Sequence, residues 1–537
     1  GDVGADVGAD VGADVGAEAG EVGAEVEAAW EATLRGYEEL AVAADDAQSS
    51  GLRIRAIVGT GRALVALGKP EQAVERLLIA EHELDVQLSR LAVDGSRERY
   101  VAVHDRSSRE AVSLLLALGR ERQALCVARL ARRRSYEAIA RLVHDRLEDL
   151  ATMGERQRAF ARYQQIRAEI EAEVDRSWGL PRRDGELVRV AAERRSAVAL
   201  RELDAALAEI EVAPVRATTC EELARTEPGE LQLALLPAAE GWLGFAQLGG
   251  QIEVRQLLLP GSSDSLEIWS RALLEPFAEM IARADRLRVI TDGELLSVPI
   301  HALPLEGEPL FERLPVAYSL DLAEPLEFSD SLGLVESGGS PAEVSRVALV
   351  VAPPSNLVHA KVEVAEVTER LDELGFVVES LSGEAATGAR VRARLGRADL
   401  LHFVGHAQAQ ASVRWDSALD LAAENSLRVI DLIASPEPAP RVVVLNGCRT
   451  GLTSDRAAAG GMSLAHAFLV AGSEAVVATT SDVDDALAFA VIEAFYAALA
   501  GDPQLDVARA LASALTELRR QGVCNDRSCT SYRAWVR

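Results

Sequence analysis

Two stretches in the second half of the chain constrain its architecture most: Leu400-Leu401-His402-Phe403-Val404-Gly405-His406 and Val442-Val443-Val444-Leu445-Asn446-Gly447-Cys448-Arg449-Thr450-Gly451. Each is a branched apolar run that ends in glycine and then in a side chain capable of catalysis. Such runs are expected as buried strands of a parallel sheet. In open α/β sheets, chemistry collects outside the carboxyl ends of the strands. Further strand-like runs at 347–351, 376–378 and 475–479 alternate with helical stretches at 361–374, 387–395, 461–471 and 485–499. This alternation predicts a mostly parallel sheet covered by helices on both faces.

Upstream, 231–236 is a short apolar run, and 242–246 with 252–254 reads as an antiparallel hairpin. A helix is expected at 265–284, a strand at 287–290 and a turn at 291–294. The character of the chain changes near Val212-Ala213-Pro214; before it, from about residue 27 to 210, the sequence is rich in Ala, Leu, Arg and Glu and is expected to be all-helical. Two segments echo each other there, Ala66-Leu67-Gly68-Lys69-Pro70-Glu71-Gln72-Ala73 and Ala117-Leu118-Gly119-Arg120-Glu121-Arg122-Gln123-Ala124. Each reads as a helix, a glycine turn and a new helix with a small residue where helices pack. They resemble tetratricopeptide-type hairpins, whose stacking creates a concave face for peptides or proteins; an ordinary helical bundle with two similar turns is the alternative. Residues 1–26 repeat Gly-Ala-Asp-Val and drift to Gly-Ala-Glu-Val. With few large side chains and a glycine at about every fourth position, this tract is expected to be flexible. The domains expected are therefore 1–26, a helical domain at 27–210, an N-terminal subdomain at 211–340 and a catalytic subdomain at 341–537.

Lys and Arg number 56 against 84 Asp and Glu, a net charge of −28. So acidic a chain is not expected to bind nucleic acid directly, because phosphate binding needs a positive field. The basic run from Arg129 to Arg134 is expected as a solvated helix face, with RNA or an acidic protein as its other reading. Five cysteines, Cys126, Cys220, Cys448, Cys524 and Cys529, are too few and scattered for a disulfide framework, and no zinc constellation accompanies them. No signal peptide or membrane-length apolar run is evident, so a reducing, cytoplasmic setting is expected. No cofactor or metal is expected, and the absence of a GxxxxGK loop argues against an internal ATPase.

The chemistry suggested by the two strand ends is that of a cysteine hydrolase. A thiolate is a far better nucleophile than a thiol, and a histidine in reach can take its proton and return it to the leaving amine. His406 and Cys448 fill these roles. Gly405 and Gly447 are read as turn residues that let the strands present these side chains. The backbone N–H groups of Cys448 and Ala407 are candidates for an oxyanion hole. His402 alternates with Leu401 and Phe403 and reads as a core histidine; His301 and His466 are read as structural.

From about residue 213 to 537 the chain resembles the CHAT domain, a caspase-like peptidase domain often fused to tetratricopeptide repeats. The resemblance rests on six ordered motifs: Asp292-Gly293-Glu294-Leu295-Leu296-Ser297-Val298-Pro299, Glu363-Val364-Ala365-Glu366-Val367, the His406 and Cys448 segments, Gly460 through Gly472, and Ser531-Tyr532-Arg533-Ala534-Trp535-Val536. It implies a caspase-type α/β fold with Cys448 as nucleophile and His406 as general base and acid. Ala407 stands where the family often has glycine, and Ser481 where it usually has tryptophan. In caspase-like folds the loop after this strand helps shape the primary specificity pocket. Asp482 would then favour a basic or polar residue before the cut; capping of the following helix by Asp482, Asp484 and Asp485 is the competing reading. The resemblance further implies a regulated endopeptidase with a dedicated protein substrate, tied to bacterial defence or programmed death. A regulatory protein on the helical half or an RNA-guided complex would control it. An order–disorder change in the loop from about Gln408 to Pro440, or release of autoinhibition, would serve as the switch. A catalytically silent scaffold and a small-molecule hydrolase are the rival readings.

Overall fold

A computed structural model describes the chain outside 1–9, 47–48, 91–94, 209–219, 224, 323–345, 410–416, 424–425, 436–437, 454–461, 502–505 and 526–527, with 145–179 described at scattered positions. The composition change near 212–214, Gly460 with Gly461, and part of the Gln408–Pro440 loop lie outside the described residues. The chain forms two compact units, Gly1–Ser89 with His104–Ala131, and Arg90–Val103 with Arg132–Arg537.

The first unit is helical. Helix α1 spans Asp10–Asp46, α2 Ser50–Ala66 and α3 Pro70–Arg90; α4 (Gly95–Ala117) and α5 (Glu121–His144) contribute in part. The described part of the Gly-Ala-Asp-Val tract, from Asp10, is helical, although its glycines disfavour a helix. A helix already nucleated over 27–46 extends at one backbone bond per added residue, and the alanines offset the unfavourable glycines. The two echoed segments form the same turn. Gly68 and Gly119 have φ of 67° and 70°, and the bonds Lys69 N→Leu64 O and Arg120 N→Leu115 O, both 2.9 Å, close each helix end. Only glycine adopts this left-handed backbone freely. Ala73 and Ala124, just beyond the turns, are fully buried.

The second unit is built on eleven strands. In chain order these are β1 (Glu230–Pro237), β2 (Trp242–Leu248), β3 (Gln251–Leu257), β4 (Arg286–Thr291), β7 (Val316–Ser319), β8 (Arg346–Ala352), β9 (Phe376–Ser382), β10 (Leu400–Val404), β14 (Val442–Asn446), β15 (Ala475–Thr479) and β16 (Tyr532–Val536). Two small sheets account for the missing numbers: β5 (Pro304–Leu305) with β6 (Glu308–Pro309), and β11 (Ala407–Gln408), β12 (Ala418–Asp420) and β13 (Ser426–Arg428). The large sheet has the order β3-β2-β1-β4-β7-β16-β15-β14-β10-β8-β9. β15, β14, β10, β8 and β9 run parallel to one another, as do β1, β4, β7 and β16; the two blocks meet antiparallel at β15 and β16. The β2–β3 hairpin closes one edge.

Both faces are covered, as the alternation predicts. Leu401, Phe403, Val443 and Leu445 pack on the side of the helix Leu464–Val470. Leu400, Val442 and Val444 pack on the opposite side with residues of the helices Ala360–Glu373, Asp485–Ala500 and Val507–Arg520. The single helix expected at 265–284 is three short ones, Leu266–Leu273, Glu275–Phe277 and Ala278–Ile281. Pro276 lacks the N–H that an uninterrupted helix would use.

The arginine run is corrected as well. Arg129, Arg133 and Arg134 are buried rather than solvated. Half-buried Arg132 donates to the carbonyls of Thr291 (2.8 Å), Leu320 (2.7 Å) and Ser319 (3.2 Å). A flat guanidinium with five donors is suited to satisfying several strand-end carbonyls at once. Cys524 and Cys529 form a disulfide, against the expectation of reduced cysteines, whereas Cys448 is a free thiol.

His301 and His466 are core residues. The first lies 2.9 Å from the Tyr318 hydroxyl, and the second meets Tyr136 and Trp535 edge-on. Burial, reinforced by the Arg533 charge for His301 and by Arg132 and Arg533 for His466, lowers both imidazoles to about 3. Their ordinary value is about 6.5. Between these values the unfolded chain takes up protons that the folded one refuses. Their contribution is therefore intact above about pH 6.5 and is lost as pH falls toward about 3, at roughly 1.4 kcal/mol per pH unit for each histidine. We expect the urea midpoint to drop between pH 7 and 5, and to drop less in a His301→Gln/His466→Gln protein. A flat midpoint in the native protein would contradict this account.

Candidate active site

The parallel register of β10 and β14 ends at Val404 opposite Asn446. Two residues further on, the same register brings His406 and Cys448 to neighbouring strand ends. Gly405 N–H donates to Asn446 O at 3.2 Å, which continues the pairing into the turn. Neither Gly405 nor Gly447 has a positive φ, so a left-handed backbone is not why glycine stands there. Close approach is: a Cβ on Gly447 would lie 2.8 Å from Gly405 O and 3.5 Å from the Ala407 Cβ. After Cys448 the chain reverses through Arg449, whose φ of 59° places a non-glycine residue in the left-handed region.

His406 is exposed and its Nε2 lies 2.7 Å from Asn356 Oδ1. An amide oxygen at Nε2 favours the tautomer protonated there, which leaves Nδ1 as a free acceptor. Asn356 follows β8 in a segment anchored from the far side: Asp485 Oδ2 accepts Val358 N–H (2.9 Å), His359 N–H (3.0 Å) and a contact from His359 Nδ1 (2.8 Å). Burial works against the Asp485 charge, yet the His359 ring and the two backbone donors hold this carboxyl below the usual range. Cys448 is half-buried; its Sγ lies 3.8 Å from Val483 O, and no hydrogen bond joins it to His406. Asp482 pairs with Arg449 at 2.5 Å, both side chains largely exposed. In sequence order Asp484, not Asp482, caps the next helix, accepting from Ala486 and Leu487.

Beneath the strand ends lies a buried polar cluster. Glu363, from the first turn of the helix Ala360–Glu373, accepts from Asn446 Nδ2 with both oxygens (2.8 and 2.9 Å) and contacts His402 Nε2 at 3.0 Å. The Tyr496 hydroxyl meets His402 Nδ1 at 3.2 Å, and the Tyr532 hydroxyl donates to Asn446 Oδ1. Burial first, and the Glu363 charge second, raise both phenols well above their ordinary range, so both stay protonated as donors. The cluster fastens Asn446, two residues before the thiol. His402 is thus the satisfied core histidine that its alternation suggested. Asn356 lies in a segment without a motif, and Glu363, although it opens one of the six motifs, faces its partners only once a helix and two strands are assembled.

The CHAT domain family model matches residues 265–535. No curated protein matches the chain. Two crystal structures of the Saccharomyces cerevisiae separase–securin complex, at 3.0 and 2.6 Å resolution, align at 10% identity and a TM-score of 0.39, over 87% and 88% of this chain. The alignments take in only 37% and 38% of the other chains, so this chain spans little more than a third of their length. With the family model covering half of its residues, from the β3–β4 connection through the closing strand, the chain belongs to the CHAT-domain family.

Proposed function

We propose that the protein is a regulated cysteine endopeptidase in which Cys448 attacks a peptide carbonyl and His406 moves the proton. The observation that carries this reading is the register that sets an imidazole and a free thiol on adjacent parallel strand ends. Asn356 orients His406 so that Nδ1 can accept the thiol proton; rotation of the Cys448 side chain away from Val483 O would complete the pair. Catalytic hydrogen bonds often tighten only once substrate is bound. The N–H groups of Cys448 and Ala407 face the developing oxyanion. Ala407 supports this role: it opposes Leu419 while Asp420 N–H bonds to His406 O, which makes it a non-hydrogen-bonded ladder position with its N–H turned away from β12.

Asp482 would contribute to the primary specificity pocket by exchanging Arg449 for a substrate cation. The helical unit would bind the substrate or a regulatory protein, with tetratricopeptide-like hairpins as its form, and a defence or cell-death complex as its setting. A cytoplasmic location is proposed with it, a setting in which burial would shield the Cys524–Cys529 disulfide from reductants. No described helix is long and apolar enough to cross a membrane.

A panel of thiol-reactive peptidyl probes, varied in charge at the residue before the warhead, tests the reading. Labelling of Cys448 should vanish in His406→Ala and should lose its preference for basic probes in Asp482→Ala. Labelling indifferent to His406 would favour a silent scaffold, and indifference to charge would remove Asp482 from the pocket.

A further inference from the structure

The turn after β14 is tied to its neighbour β15 through side chains as well as backbone. β14 and β15 are paired from Val442↔Ala475 to Val444↔Val477. Extending that register sets Thr479 beside Asn446, where a side chain takes over from the ladder. The Thr479 hydroxyl donates to Gly447 O at 2.6 Å. The Thr450 hydroxyl lies 3.2 Å from the same carbonyl and accepts Thr479 N–H at 3.2 Å. Both threonines are 1% exposed. Gly447 O is therefore fastened inside the fold from two sides.

That anchoring fixes the rest of the peptide unit. The chain contains no cis peptide bond among the described residues, so the N–H of Cys448 points opposite to Gly447 C=O. It is turned away from Thr479 of β15, toward the β10 side of β14. Two later donors of the turn are engaged: Arg449 N–H bonds to Ser481 O at 3.2 Å and Gly451 N–H to Thr479 O at 2.7 Å. Cys448 N–H has no acceptor among the described residues. Gly447 could not by itself hold the peptide in this orientation, since glycine is the residue least constrained in φ and ψ.

We propose that Thr479, assisted by Thr450, is a positioning residue: its hydroxyl locks the Gly447–Cys448 peptide so that Cys448 N–H is presented to the oxyanion. This rests on the cysteine hydrolase reading above and adds the device that preorganises it. Preorganised donors stabilise the developing charge without rearrangement during the reaction.

Two small reagents separate the device from general thiol reactivity. With p-nitrophenyl acetate, the Cys448 sulfur bonds to the acetyl carbon, the carbonyl oxygen carries the charge transiently, and p-nitrophenolate departs while His406 holds the thiol proton. Water then releases acetate and restores the thiol. With iodoacetamide, sulfur displaces iodide from carbon and no oxyanion forms. In the full chain, Thr479→Val keeps the shape and β-branching of threonine but removes its donor. It should slow the p-nitrophenolate burst by about 10- to 100-fold and leave Cys448 alkylation within about two-fold, as the uninvolved donor requires. Thr479→Ser should restore the burst. If both rates fall together, or neither falls, the proposal is overturned. A native protein without a His406-dependent burst overturns the hydrolase reading itself, an outcome distinct from a native burst that Thr479→Val does not change.

Discussion

Gly447→Ala should abolish labelling of Cys448 by a peptidyl probe, slowing it by at least about 100-fold in a protein that remains folded. The added methyl would meet the backbone carbonyl of Gly405 at 2.8 Å. A backbone carbonyl just past a paired strand, in a residue whose own N–H is bonded to Asn446 O, cannot rotate away as a side chain can. The ends of β10 and β14 must then separate, carrying His406 from Cys448, and a displacement of about 1 Å at reacting groups is enough for a loss of that size. Gly405→Ala provides the internal comparison. Its methyl would meet the Phe403 ring at 2.9 Å and the Pro353 ring at 3.2 Å, which are side chains with some room to yield. We expect a smaller loss there, within about ten-fold. Circular dichroism and thermal melting would verify that both variants are folded. Native labelling rates in Gly447→Ala would mean that the two strand ends do not act together.

Glu363→Leu should destabilise the protein by about 3–5 kcal/mol, the range seen when one member of a buried charged or polar pair is removed. Glu363 is 2% exposed and accepts from both Asn446 and His402. Leucine would leave those donors buried without an acceptor. Glu363→Gln keeps the shape but turns an NH₂ toward groups that already donate, so about 1–3 kcal/mol is expected. Urea unfolding of the intact protein measures both. Since Asn446 leads directly into the Cys448 turn, the glutamine variant should also label more slowly than its stability alone accounts for. A loss under about 1 kcal/mol in Glu363→Leu would show that the cluster is not a structural centre.

How much of this was readable beforehand follows from the range of the interactions. β8, β10, β14 and β15 are buried on both faces, so their residues are mostly apolar, His402 being the exception inside β10, and the strands are apparent from the residues alone. The hairpin β2–β3 is apparent because its two runs flank Gly249 and Gly250. Gly405 and Gly447 stand at bends just past their strands, and the tight approach between the strand ends is a second demand for glycine that local sequence does not record. The arginine run gives no local sign of its burial, because a guanidinium bonded to strand-end carbonyls, as in Arg132, looks in sequence like any charged helix face. Asn356 and His406 are brought together by a strand pairing between β8 and β10, and Glu363 and Asn446 by a helix packed over β14. No periodicity or local spacing records those meetings.

The reversal between β15 and β16 has a consequence for biosynthesis. Of the eleven strands in the large sheet, β16 emerges from the ribosome last, yet it occupies the sixth and central place. Until it is inserted, the two parallel blocks have no shared member, and Asn446 lacks the Tyr532 hydroxyl. A nascent chain can thus complete every other strand and still lack a finished nucleophile turn. On the proposed peptidase reading, that order of assembly delays competence until translation has passed Val536.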